Sequence, residues 1–139
     1  HIADCFPDAG LIPPLGDPRR PDVYRWVMWC ANTLHGAWWP LMAPRFLSAD
    51  ESAADGIRER GVVAMAQHGA YLDEQLRDRE WCLGGRFTVA DINVAEVVRY
   101  AMPATDLFGA NPAVKAWLAA CQARPAFRRM WDAREKEPA

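Results

Sequence analysis

The 139-residue sequence has no apolar run approaching the roughly 18 residues of a membrane-spanning helix. It also has no stretch in which β-branched and polar residues alternate between turn signals. The first absence argues against a membrane partner and the second against a sheet. Cys5, Cys30, Cys82 and Cys121 are widely spaced and include no CxxC pair, so no zinc knuckle or dithiol motif is present and no metal is expected. Each cysteine lies among apolar neighbours, as free thiols do in a reducing, cytoplasmic compartment. Neither charge dominates. Against 18 Asp and Glu stand 16 Lys and Arg, a formal net charge of −2 that points away from nucleic acid and anionic surfaces. The opening residues do not read as a secretory leader, and no repeat or long linker divides the chain.

What remains is the balance of a soluble globular domain: 51% hydrophobic and 24% charged residues, with enough chain for one core. The start, "HIADCFPDAGLIPP" without a leading Met, reads as the last turn of a helix entering a loop, the expectation for a piece of a longer protein. "GDPRRPD" follows as a turn, with Asp17 a candidate cap and Pro18 in the tolerated first turn. Val23, Trp26, Val27, Cys30 and Leu34 recur at helical spacing, and that helix is expected to be disturbed near Gly36 and Pro40 and ended or kinked at Pro44. A second long helix, capped by Ser48 or Asp50, runs to about Arg79. Its inner face is Ile57, Gly61, Met65, Gly69 or His68, Leu72 and Leu76, and its glycines let a neighbouring helix approach. Further helices are expected from Val89 to Met102, from a cap at Asn111 with Val114, Trp117, Leu118 and Cys121 inward, and around Phe127, Met130 and Trp131. The sum is an all-α bundle of five helices. Arg124, Arg128, Arg129 and Arg134 read as the solvated face of the last helices.

"FTVADI" poses a chemical question, because Asp91 is a carboxylate one turn into a helix otherwise made of Val89, Ala90, Ile92, Val94 and Val97. Thr88 and Asp91 have the spacing of a capping box. The Thr88 hydroxyl is expected to accept from the Asp91 amide while the Asp91 carboxylate returns to the Thr88 amide, with Phe87 and Ile92 as a hydrophobic staple. A buried helix start cannot leave its amides to water. Asp91 is thus expected to be structural, not catalytic.

"LGGRFTVADI" between two helices, with "NPAVKAWLAACQARPAF" downstream and "FPDAGLIPPLGDPRRPDVYRWVMW" upstream, closely resembles the cytosolic glutathione transferases. The resemblance covers nearly the whole chain as their C-terminal helical domain. It implies that residues 1–16 are the end of a thioredoxin-like domain's last helix plus the linker, and 17–139 the helical domain. It further implies that the catalytic nucleophile lies in the thioredoxin-like half, which activates the thiol of glutathione as co-substrate. The helical half would then hold a small apolar electrophile and contribute to a homodimer through the helices from Val23 and Ala53. A cysteine nucleophile would make reduction of mixed disulfides as plausible as conjugation; isomerisation and dehalogenation also occur on this fold.

"RWVMWCANTLHGAWWPLM" is similar to the bacterial beta-class stretch. On that match His35 falls on the family's active-site histidine, and Tyr100 where the family has a tryptophan bordering the same cleft. Thr33 stands where the family has a glutamate tied to glutathione binding, Met28 where it has an asparagine and Gly36 where it has a lysine. Trp38 and Trp39, being adjacent, point in different directions, and one of them is expected to line an apolar pocket. The substrate-binding set implied is therefore Thr33, His35, Trp38, Trp39 and Tyr100. His68 is expected at a helix contact or on the surface. A second reading is a non-catalytic helical module for protein assembly, its tryptophan-rich segment serving as the partner surface.

Overall fold

The computed structural model describes residues 1–46, 51–101 and 107–137. In chain order the helices are α1 (Ile2–Cys5), α2 (Arg20–Trp29), α3 (His35–Phe46), α4 (Glu51–Leu76), α5 (Val89–Ala101), α6 (Leu107–Ala110), α7 (Pro112–Ala123) and α8 (Pro125–Arg134). Six longer helices carry the bundle, which amount to the five segments expected only because a π-helical turn runs α2 into α3; α1 and α6 are single turns. A two-residue bridge between Trp81 and Gly84 is the one β contact among the described residues. The caps expected at Ser48 or Asp50, and the stop at Met102 and Pro103, lie outside the described residues.

One core joins these elements. Trp26, Leu34, Met65, Leu72, Val94 and Val114 are among its fully buried members, and burying side chains of that size contributes on the order of 1.5 to 3 kcal/mol each. The α3–α4 contact is the most extensive between described elements. Gly61 is buried, and a Cβ there would sit 2.9 Å from Leu41 Cδ2 and 3.2 Å from Pro40 Cβ, so the glycine is what permits the approach.

The disturbance expected near Gly36 and Pro40 lies earlier in the chain. Residues Cys30–Leu34 form a π-helical turn that joins α2 to α3, while Pro40 sits inside α3 and that helix continues past Pro44 to Phe46. Proline lacks the N–H that would meet the Gly36 carbonyl, but packing against α4 keeps the helix intact. The inserted residue of a π turn resets the helical register. Cys30 and Leu34 both stay buried, and the Cys30 thiol donates to the Asn93 carbonyl of α5 at 3.4 Å.

The first sixteen residues are held to the bundle by polar contacts. Arg20 is buried and donates to Asp4 Oδ1, the Pro13 carbonyl and the Tyr24 hydroxyl, each at 2.7 Å. The Leu11 carbonyl accepts from the Val89 amide at 2.9 Å, at the start of α5. Gly10 has a positive φ of 64°, and the Arg86 guanidinium occupies the space a side chain there would need. Asp17 serves the turn before α2: its Oδ1 accepts from the Arg19 amide at 2.9 Å, and Arg19 closes an ion pair on it at 2.6 Å.

Candidate functional site

The two ends of α5 hold the most organised side chains in the molecule. At its start Asp91 is 0% exposed. Its Oδ2 accepts from the Thr88 amide at 2.8 Å. The Thr88 hydroxyl accepts from the Ala90 amide at 3.2 Å, one residue before the partner expected from the sequence. Asp91 Oδ1 accepts from the Cys82 amide at 2.8 Å and from Trp117 Nε1 at 3.0 Å. One carboxylate thus ties the loop after α4 and the middle of α7 to the start of α5 through neutral donors. Phe87 is half-buried and Ile92 45% exposed; the two lie at one groove rather than sealed within the core.

A second carboxylate repeats the device. Asn111 occupies the cap position of α7, but its side chain makes no cap hydrogen bond. Asp73, from α4, accepts there from the Ala113 amide at 2.7 Å and the Val114 amide at 3.1 Å. The cap expected from Asn111 therefore comes from forty residues upstream. Burial pushes the Cys30 thiol up to about 11 and the Cys121 thiol up to about 12, and raises Cys82 through burial first and the Asp91 charge second. None of the three is a thiolate at neutral pH, so none is a nucleophile there.

The tryptophan-rich segment divides between two faces. Trp26 and Trp29 turn toward α4. Trp26 donates to the Cys82 carbonyl at 3.1 Å, and Trp29 meets Tyr71 and, edge-on, His68 at ring distances of 5.4 and 6.1 Å. His68 is thus part of a helix contact. Trp38 turns the other way, toward Tyr100 near the end of α5, with Trp39 beside it. Trp38 is partly buried against the core, while Trp39 is 47% exposed.

Around Trp38 the rings form a continuous wall. His35, exposed, lies 5.2 Å from Trp38, Trp39 6.3 Å, and Tyr100 6.1 Å in an edge-to-face arrangement. Beyond Tyr100 the wall continues through cations. Arg99 lies 4.1 Å over the Tyr100 ring and 4.9 Å over Trp131, and Trp131 stacks on Phe127 at 5.9 Å. Arg99 is neutralised by Glu96, with Nε donating to Oε2 at 3.0 Å and a second bond from Nη2 to Oε1. Arg134 Nη1 donates to the Tyr100 hydroxyl at 3.0 Å. The Arg134 hydrogen bond and the neighbouring Arg99 hold the Tyr100 phenol below its ordinary pKa.

Three of the residues expected in the site, His35, Trp38 and Tyr100, are therefore brought together, with Trp39 at the rim. Thr33 sits half-buried in the π turn. The last-helix arginines correct an expectation: Arg134 reaches Tyr100, and Arg124 lies 3.7 Å over the Phe87 ring, so two of the four are more than a solvated face. Arg99 and Arg134 were missed in the sequence, since neither sits in a recognisable motif.

An apolar groove of about 340 Å³ opens beside Leu11, Phe87, Ile92, Leu118 and Met130, and it shares Glu96, Arg99 and Phe127 with the far end of the wall. Near the chain start Ile2 is 77% and Phe6 65% exposed.

Comparison with known proteins agrees with this architecture. The family model of the glutathione S-transferase C-terminal domain matches residues 55–120. A glutathione S-transferase of Escherichia coli O157:H7 is 30% identical over 101 residues, 73% of this chain and 47% of that protein. A sphingomonad glutathione S-transferase solved in complex with glutathione superposes with a TM-score of 0.85 at 28% identity, over 98% of this chain and 64% of its own. A bacterial beta class glutathione S-transferase of Sphingomonas chungbukensis gives 0.82 at 28% identity, over 95% and 62%. The chain spans about half the length of the curated relative and just under two thirds of these two structures. In sequence and in fold, this chain belongs to the glutathione transferase family, as its C-terminal helical domain.

Proposed function

We propose that this chain is the electrophile-binding and dimer-forming half of a cytoplasmic glutathione transferase. The protein that carries it conjugates glutathione to small apolar electrophiles or reduces mixed disulfides. The observation that carries this reading is the wall of His35, Trp38 and Tyr100: the family resemblance assigns His35 and Tyr100 to the substrate cleft, and Trp38 is one of the two tryptophans expected to line an apolar pocket. Trp39 and Thr33 complete the assignment, at the rim and in the adjoining π turn. A flat electrophile finds stacking and edge contacts there, with His35 placed to donate toward a sulfur or leaving group.

Residues 1–16 act as linker, and a thioredoxin-like half that supplies the nucleophile covers the apolar groove beside Leu11 and the exposed Ile2 and Phe6. Homodimerisation through α2 and α4 is supported by their exposed Tyr24, Met28, Val63 and Tyr71.

The test is glutathione-dependent conjugation of 1-chloro-2,4-dinitrobenzene by the protein carrying this chain and its thiol-activating half. Trp38→Ala is expected to raise KM for the electrophile about tenfold, the loss of roughly 1.4 kcal/mol of contact, and to leave KM for glutathione unmoved. Absence of any glutathione-dependent turnover would refute the reading and favour the assembly module.

A further inference from the structure

The wall at the end of α5 is apolar in body but not neutral. Of its two arginines, Arg99 spends Nε and Nη2 on the Glu96 carboxylate and lays its face against Tyr100 and Trp131. That pair carries no net charge. Arg134 differs. Its one polar contact among the described residues is the bond from Nη1 to the Tyr100 hydroxyl, a neutral acceptor, and it forms no ion pair with a described residue. A guanidinium has five N–H donors in a fork that fits a carboxylate two bonds at a time. Among the described residues, most of Arg134's donors and its whole charge are therefore uncommitted. The tyrosine bond and the Trp131 ring, 5.8 Å from the guanidinium, fix where that charge sits.

One more donor is unused at the same wall. Trp38 Nε1 is buried and has no hydrogen-bond partner among the described residues, an arrangement that native structures rarely leave unexplained. Tyr100 lies between the two, 6.1 Å ring to ring from Trp38 and in contact with Arg134. A ligand lying on Trp38 and Tyr100 would thus meet an unpaired cation at one end of an aromatic surface.

We propose that this wall selects aromatic electrophiles bearing an acidic group, a carboxylate or sulfonate, and that Arg134 is the residue that receives the anion. The inference rests on the reading of the wall as the electrophile site. Arg134 acts as a specificity residue: it distinguishes an anionic substrate from its uncharged isostere, because the isostere would leave the guanidinium without the partner it gains from the acid. Arg99, already paired, sets the spacing between Tyr100 and Trp131.

The experiment compares 4-chloro-3-nitrobenzoate with its methyl ester, two probes with the same ring and leaving group and different charge. Binding is read as quenching of tryptophan fluorescence, and turnover as glutathione conjugation by the protein carrying this chain. The acid is expected to bind about five- to tenfold more tightly than the ester, the worth of one partly exposed charged pair. Arg134→Gln brings that ratio to about one, Arg134→Lys keeps part of it, and Arg128→Gln, an exposed arginine on the same helix, keeps all of it. Equal binding of acid and ester by the unaltered protein, or a preference for the acid that survives in R134Q, overturns the inference. Charge-selective binding without any turnover leaves the anion site standing and overturns the transferase reading instead, so the two failures are distinct.

Discussion

The beginning and the end of α5, a helix of thirteen residues, are built from opposite materials. At the beginning, a carboxylate with no exposure at all is surrounded by neutral donors: two amides of the chain, a hydroxyl and an indole. At the end, a half-open tyrosine is surrounded by cations and rings, and one of those cations has no anion opposite it among the described residues. The closed end leaves no buried side-chain donor over among the described residues and so holds three elements in register. The open end leaves donors over, which is the condition for meeting something from outside. A titratable residue on a buried helix is thus a poor guide to chemistry until its partners are counted.

Removing Asp91 should do the most damage. Asp91→Ala leaves the Cys82 and Thr88 amides and Trp117 Nε1 without their acceptor, and a loss of about 3 to 5 kcal/mol is expected, read as a collapse of the urea midpoint. Asp73→Ala is the smaller version of the same break. It uncaps α7 alone and should cost about 1 to 2 kcal/mol, measurable as a fall in Tm of several degrees. An unchanged Tm would contradict the assignment of the cap to Asp73.

At the open end the expected effects on stability shrink. Tyr100→Phe removes one exposed acceptor and should change stability by less than about 0.5 kcal/mol. In the unaltered protein the Tyr100 phenol should ionise below the ordinary tyrosine value in an ultraviolet titration, and Arg134→Gln should move it back up. The smallest effect concerns Asp17. The Arg19 hydrogen bonds hold its carboxyl down to about 2, so its contribution is present above the unfolded value near 4 and is lost as pH falls from there to about 2. Asp17→Asn should remove that step from the acid stability profile, slightly lowering stability at neutral pH, where the contribution is present, and changing nothing below about pH 2.

How much of this could be read beforehand follows from separation along the chain. Thr88 and Asp91 are three residues apart, and their capping box is written in local spacing. The family resemblance and the helical bundle follow from equally local patterns at "LGGRFTVADI" and along α4. The other two donors to Asp91 come from Cys82 and Trp117, the cap of α7 from Asp73, and the cation on Tyr100 from Arg134. Those partners are brought together by the bundle, and nothing in their own neighbourhoods marks them. The π turn escaped for a different reason. Cys-Ala-Asn-Thr-Leu contains no helix breaker, so attention goes to Gly36 and Pro40, whereas the register shift is dictated by keeping Cys30 and Leu34 inside the core.

The contrast between the two ends of α5 is tested most directly by urea unfolding of Asp91→Asn and Tyr100→Phe side by side. Asp91→Asn is isosteric but replaces one acceptor oxygen with a donor, and it is expected to lower stability by about 2 to 3 kcal/mol, against less than about 0.5 for Tyr100→Phe. Losses of similar size in the two variants, or a larger loss from Tyr100→Phe, would contradict the division of α5 into a closed structural end and an open binding end.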